Sequence, residues 1–138
     1  FARPGYRSQH NWGYWHGAEY LGVGISAHSF WDGTRHWNRR DLHAYLAAVE
    51  SGYSPEEGME QLEALAARHE RLWLQLRTCE GAHLTPAEIQ RIRHHGKFQA
   101  MLESGWVQLD DAQLRLTAAG MLLADAIGAE IIVLLEAR

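Results

Sequence analysis

The feature that most limits what this chain can fold into is the crowding of its aromatic residues. Eleven of the 14 fall in residues 1–56, while residues 57–138 hold only Trp73, Phe98 and Trp106. Charge is divided as well. Residues 1–56 carry five Lys/Arg and five Asp/Glu, and residues 57–138 carry eight and twelve. A neutral, aromatic, glycine-rich first part therefore precedes an acidic, strongly patterned second part, with the boundary expected near Gly52-Tyr53-Ser54-Pro55 and two domains at 1–56 and 57–138. A length of 138 residues suits one domain or one and a fraction.

The first part offers few periodic segments. Residues 19–24 alternate loosely and predict one strand ending in a glycine loop. A short strand is expected around Arg35–Asn38. Asp41 can cap a helix running to about Ser51, with Gly52 as its stop. Those elements cannot close a core around so many aromatics, so this part is expected to pack on other protein or on a second copy of itself.

The second part is more regular. Residues 57–77 predict a long helix, on which Leu62, Leu65, Ala66, His69, Leu72, Trp73 and Leu76 form an apolar stripe. His69 reads as a core histidine, and Trp73 and Trp106 as core anchors. Thr85-Pro86-Ala87-Glu88 is a helix start with proline at the first position and a capping box. That helix is expected to end at Gly96. Lys97 to Ser104 predicts a second helix, and 106–109 with 113–116 a hairpin around Asp110-Asp111-Ala112. Thr117 should cap a last helix reaching nearly to Arg138. Helix, turn, helix, hairpin is the order of a winged helix-turn-helix. The expected class is α+β, mainly α.

Several side chains bear on function. His10 and Tyr14, four apart, would share one face of a helical turn, and imidazole and phenol are both axial heme ligands. Asn11 could orient the histidine or bond a propionate. The alternative is a loop whose polar groups hold a sheet edge. Gly22 and Gly24 permit close backbone approach to a ligand or a tight bend. His28 fits a structural role, and His94 and His95 a solvated helix end. The single cysteine, Cys79, excludes an internal disulfide framework or a multi-thiolate metal site and fits a reducing cytoplasm. No catalytic residue and no metal ligand is expected within the chain. No nucleic-acid partner is expected, since residues 83–138 carry five Lys/Arg against seven Asp/Glu, a sum of −2, and the hairpin tip holds two aspartates, so the module reads as a lid or docking surface.

These residues together resemble a known family. Phe1-Ala2-Arg3-Pro4-Gly5-Tyr6 is similar to the segment after the last barrel strands of oxygen-independent coproporphyrinogen III oxidase-like radical-SAM proteins. His10-Asn11-Trp12-Gly13-Tyr14-Trp15 resembles the His-Asn-x-x-Tyr-Trp stretch of the heme-chaperone (HemW) branch. Residues 20–29, Tyr-Leu-Gly-Val-Gly-Ile-Ser-Ala-His-Ser, resemble that branch's glycine-rich strand, with Ile25-Ser26 where Pro-Gly is usual. Arg35-His36-Trp37-Asn38 with Tyr45 matches an Arg-x-x-Asn and Ala-Tyr pair beyond it.

The resemblance implies a detached edge of a radical-SAM β/α partial barrel, then a helical linker and a C-terminal winged helix-turn-helix domain, with an N-terminal barrel missing ahead of Phe1. It implies a parent using a [4Fe–4S] cluster and S-adenosylmethionine, and binding heme for delivery to acceptor proteins, respiratory ones among them. The rival implication is a coproporphyrinogen III oxidase of porphyrin synthesis. On this reading His10, Asn11 and Tyr14 meet heme, and Gly22, Gly24 and Ser26 lie on the S-adenosylmethionine side. Lacking the cluster cysteines, the fragment is expected to be inactive.

Overall fold

In a computed structural model, residues 2, 3 and 5–137 are described. Phe1 and Pro4 of the opening run, and Arg138 at the expected end of the last helix, lie outside them. The chain divides into two compact units, residues 1–67 and 68–138. It is mixed α/β and mainly helical, with two small antiparallel sheets.

The first unit opens with α1 (Gln9–Trp15). It continues into a three-stranded antiparallel sheet of β1 (His28–Trp31), β2 (Thr34–Asn38) and β3 (Glu56–Gln61), in that order. The β1–β2 hairpin turns on Asp32-Gly33, with Trp31 opposite Thr34 and φ of +48° and +69° at the two turn residues. Such left-handed pairs match the strand twist. Between β2 and β3 runs α2 (Leu42–Glu50), where the Asp41 carboxylate accepts the Ala44 N–H at 2.8 Å and Gly52 follows at φ +73°. Among the described residues of this unit only Ser29 is buried.

α3 (Ala64–Leu76) leads into the second unit. There follow β4 (Ala82–His83), α4 (Pro86–Ile92), α5 (Gly96–Glu103), β5 (Val107–Asp110), β6 (Gln113–Leu116), α6 (Ala118–Met121) and α7 (Ala124–Glu136). The second sheet has the order β4-β6-β5. The capping box forms as the sequence predicts: Thr85 Oγ1 accepts the Glu88 N–H and the Glu88 carboxylate accepts the Thr85 N–H. Arg68 then grips that carboxylate with Nε at 2.9 Å and Nη2 at 2.7 Å. This charge-assisted fork is the strong form of such a bond. Leu72, Leu76, Leu84, Ile92, Phe98, Val107, Leu114 and Ile131 are almost fully buried and form the centre of one core.

Five expectations need correction. The helix predicted from Glu57 begins only at Ala64, because residues 56–61 pair with β2 as a strand. The strand predicted over residues 19–24 reduces to a single bridge between Tyr20 and Phe30. Gly96 opens α5 instead of ending α4; His95 caps that start, its Nδ1 accepting the Lys97 N–H at 3.3 Å. The last helix is two helices, broken at Leu122 and Leu123, because Thr117 caps a single turn that stops at Met121. Trp106 is 37% exposed and does not anchor the core, whereas Trp73 packs against Gly128. His69 is mostly buried, with Nδ1 3.2 Å from the Glu136 carboxylate. Among the described residues, no helix is long and apolar enough to cross a membrane.

Candidate functional site

α1 forms because Ser8 supplies the cap: its hydroxyl accepts the Asn11 N–H at 3.3 Å. The helix stops at His16, whose ring Nδ1 lies 2.9 Å from the Trp12 carbonyl, and the chain turns at Gly17 with φ +73°. His10 and Tyr14 stand one turn apart, and Asn11 adjoins them; all three are exposed. Trp12 and Trp15 are partly buried. Trp12 carries the Arg7 guanidinium 4.4 Å above its ring and lies 4.4 Å from the His16 ring. Tyr14 makes an edge contact with Trp15 at 5.6 Å and meets the Tyr20 ring at 5.7 Å. The helix thus keeps its two indoles partly buried and leaves His10, Asn11 and Tyr14 exposed. Arg7 and Tyr20 were not among the sequence candidates; their roles depend on ring contacts that spacing does not reveal.

The three residues expected on the cofactor side lie together in the loop from Leu21 to Ala27. A Cβ on Gly22 would stand 2.0 Å from the His28 carbonyl oxygen, so only glycine fits there. Its N–H goes to Ser29 Oγ at 2.9 Å. Gly24 has φ +109° and its carbonyl accepts from Asn38 Nδ2 at 2.9 Å. Ser26, at φ +56°, donates its N–H to the Arg39 carbonyl at 3.0 Å. The protein's own chain therefore occupies several of the backbone groups that a ligand would use. His28 is exposed, 6.4 Å from the Trp37 ring.

A [4Fe–4S] cluster does not fit the residues present. It needs several thiolates in one loop, and the chain has only Cys79, which is exposed. Among the described residues, no group of three or more His, Cys, Asp or Glu side chains is disposed to hold a metal ion. Elsewhere in the first unit, His36 stacks on Trp31 at 3.8 Å and places Nδ1 2.9 Å from the Glu56 carboxylate. His94 is exposed.

No family model matches the chain. It is 35% identical over 130 residues to the proteins named heme chaperone HemW of Mycobacterium tuberculosis strains CDC 1551 / Oshkosh and ATCC 25618 / H37Rv, a match covering 92% of this chain and 32% of theirs. Against heme chaperone HemW of Bacillus subtilis strain 168 it is 27% identical over 132 residues, 92% of this chain and 35% of the relative. The chain spans about a third of the length of these curated relatives. Among solved structures it superposes on the coproporphyrinogen III oxidase HemN of Escherichia coli, described as a radical SAM enzyme, with a TM-score of 0.63. That match has 18% identity and covers 86% of this chain and 28% of the other, and at such identity it shows the fold alone. The matched region is the C-terminal part of the HemW relatives, and the chain belongs to the HemW/HemN-like family as such a segment.

Proposed function

We propose that the chain carries the heme-binding segment of a radical-SAM-type heme chaperone, which takes up heme as cargo and delivers it to acceptor proteins, respiratory ones among them, in the cytoplasm. One observation carries the reading: His10, Asn11 and Tyr14 stand exposed on one short helix in a chain whose relatives are named heme chaperones. Imidazole and phenol are heme ligands, and an amide beside them suits a supporting hydrogen bond. The cluster and S-adenosylmethionine would belong to the two thirds of the family's length that this chain does not span. In that setting the first unit is the edge of the barrel, and Gly22, Gly24 and Ser26 lie on its S-adenosylmethionine side. The rival, a coproporphyrinogen III oxidase of porphyrin synthesis, draws on structural likeness alone.

The second unit reads as a winged helix-turn-helix. In support, α4 and α5 are joined by a short turn and followed by the β5–β6 hairpin, whose strand β6 also pairs with β4. The hairpin tip is acidic at Asp110 and Asp111, and Arg115 is ion-paired to Asp110, so we assign the module no nucleic-acid role. Alone, the chain associates with another copy through the first unit, where Leu21, Val23, Tyr53 and Met59 are each more than two-thirds exposed.

The test is a titration of ferric heme into the 138-residue chain and into His10→Ala. Saturable one-to-one binding is expected, weakened by roughly tenfold or more in the variant, the scale at which loss of support for a ligand is felt. Equal binding by both proteins rejects the assignment.

A further inference from the structure

The stretch between α1 and β1 is tied to the β1–β2 hairpin at two points. Tyr20 and Phe30 exchange both backbone hydrogen bonds, each 2.9 Å long. The Glu19 carboxylate accepts the Asp32 N–H at 2.8 Å. Tyr20 is thereby held by the sheet although no strand surrounds it. Its ring lies 5.7 Å from that of Tyr14, tilted by 50°. α1 has seven residues and buries none of them. A helix that short does not sustain itself in water and keeps its orientation only through contacts with the rest of the protein. The braces on Tyr14 are Trp15, which rides on α1 itself, and Tyr20, which rides on the sheet.

We propose that Tyr20 is a positioning residue for Tyr14: it passes the orientation of β1 to the phenol and so decides whether that phenol and the His10 imidazole meet one planar ligand together. The inference rests on the heme reading above. The active feature is ring against ring, so phenylalanine at position 20 preserves it and alanine or leucine does not.

Ferric heme titrated into the full 138-residue chain tests this, with affinity and the absorption and resonance Raman signature of phenol-oxygen ligation read together. The unsubstituted protein and Tyr20→Phe should share one spectrum, and Tyr14→Phe should lose the oxygen-ligand signature. Tyr20→Ala should lose or split that signature and bind about two- to tenfold more weakly, the scale of one aromatic pair, while His10 still holds the heme. Tyr20→Leu fills the space without a ring and should behave like Tyr20→Ala; it carries the test if the alanine variant fails to fold by circular dichroism. Wild-type spectrum and affinity in Tyr20→Ala, or in Tyr20→Leu where the alanine variant is unfolded, overturn the proposal, as does loss of the signature in Tyr20→Phe. Failure of the unsubstituted chain to bind heme, or an unchanged spectrum in Tyr14→Phe, instead removes the heme reading beneath it.

Discussion

Among the described residues, fourteen hydrophobic side chains are buried, and all lie between Leu72 and Leu135. The first unit, with most of the chain's aromatics, buries Ser29 alone among its described residues. Large side chains do not make a core by themselves. A core needs elements whose apolar faces meet, and the second unit has them: helices with apolar stripes around a small sheet. The first unit has one sheet and two helices, and its rings pair locally, as Trp31 with His36 and Tyr14 with Tyr20. This asymmetry predicts where the chain is sensitive to change.

The largest effect should come from Phe98, which is fully buried in the second-unit core. Phe98→Ala should cost about 3–5 kcal/mol, the range for deleting a buried ring. Urea unfolding followed by far-ultraviolet circular dichroism measures it. A loss under about 1 kcal/mol would mean that the second unit has no single core.

Next in size is the Arg68–Glu88 fork. The Arg68 hydrogen bonds, helped by the Thr85 N–H, outweigh burial and hold the Glu88 carboxyl down at about 2, against an ordinary 4.5. A depressed carboxylate contributes stability that is fully present above its unfolded value and is lost as pH falls toward its folded one. The second unit should therefore weaken between about pH 4.5 and pH 2. At about 1.36 kcal/mol per unit, the ceiling is roughly 3 kcal/mol. Glu88→Gln should lower stability at neutral pH and flatten the acid limb. An unchanged acid limb in that variant would show that the fork is not its source.

How much of this was legible in the sequence depends on how local each cause is. The Thr85 capping box, the Asp41 cap and the hairpin over 107–116 were legible because their signals lie within a few residues. The Asp32-Gly33 turn had an equally local signal and went unread. β3 was hidden for a physical reason. Gly58 lies under the Trp37 ring, where a Cβ would stand 2.6 Å from it, and the pairing partner is some twenty residues away. Local periodicity favoured helix there, and tertiary pairing overrode it. In the candidate site, the four-residue spacing of His10 and Tyr14 suggested a shared helical face, and α1 supplies the helix. The bracing of Tyr14 by Tyr20 depends on a backbone bridge from residue 20 to residue 30, which no local pattern announces.

The smallest effect is expected in the first unit. Trp31 is 37% exposed and stacks on His36 at 3.8 Å with the rings 8° from parallel. Such a pair is worth about 0.5–1.5 kcal/mol beyond area burial, so Trp31→Ala should cost about 1 kcal/mol where Phe98→Ala costs several times that. His36 also engages the Glu56 carboxylate, so β3 keeps a tie to β2 after the stack is removed. Concentration sharpens the comparison. If the first unit's exposed apolar side chains pack on a second copy, its unfolding midpoint should rise with protein concentration while that of the second unit stays fixed. Tryptophan fluorescence can follow the first unit, which holds Trp12, Trp15, Trp31 and Trp37. A loss above about 3 kcal/mol in Trp31→Ala, independent of concentration, would give the first unit a core of its own and dissolve the contrast.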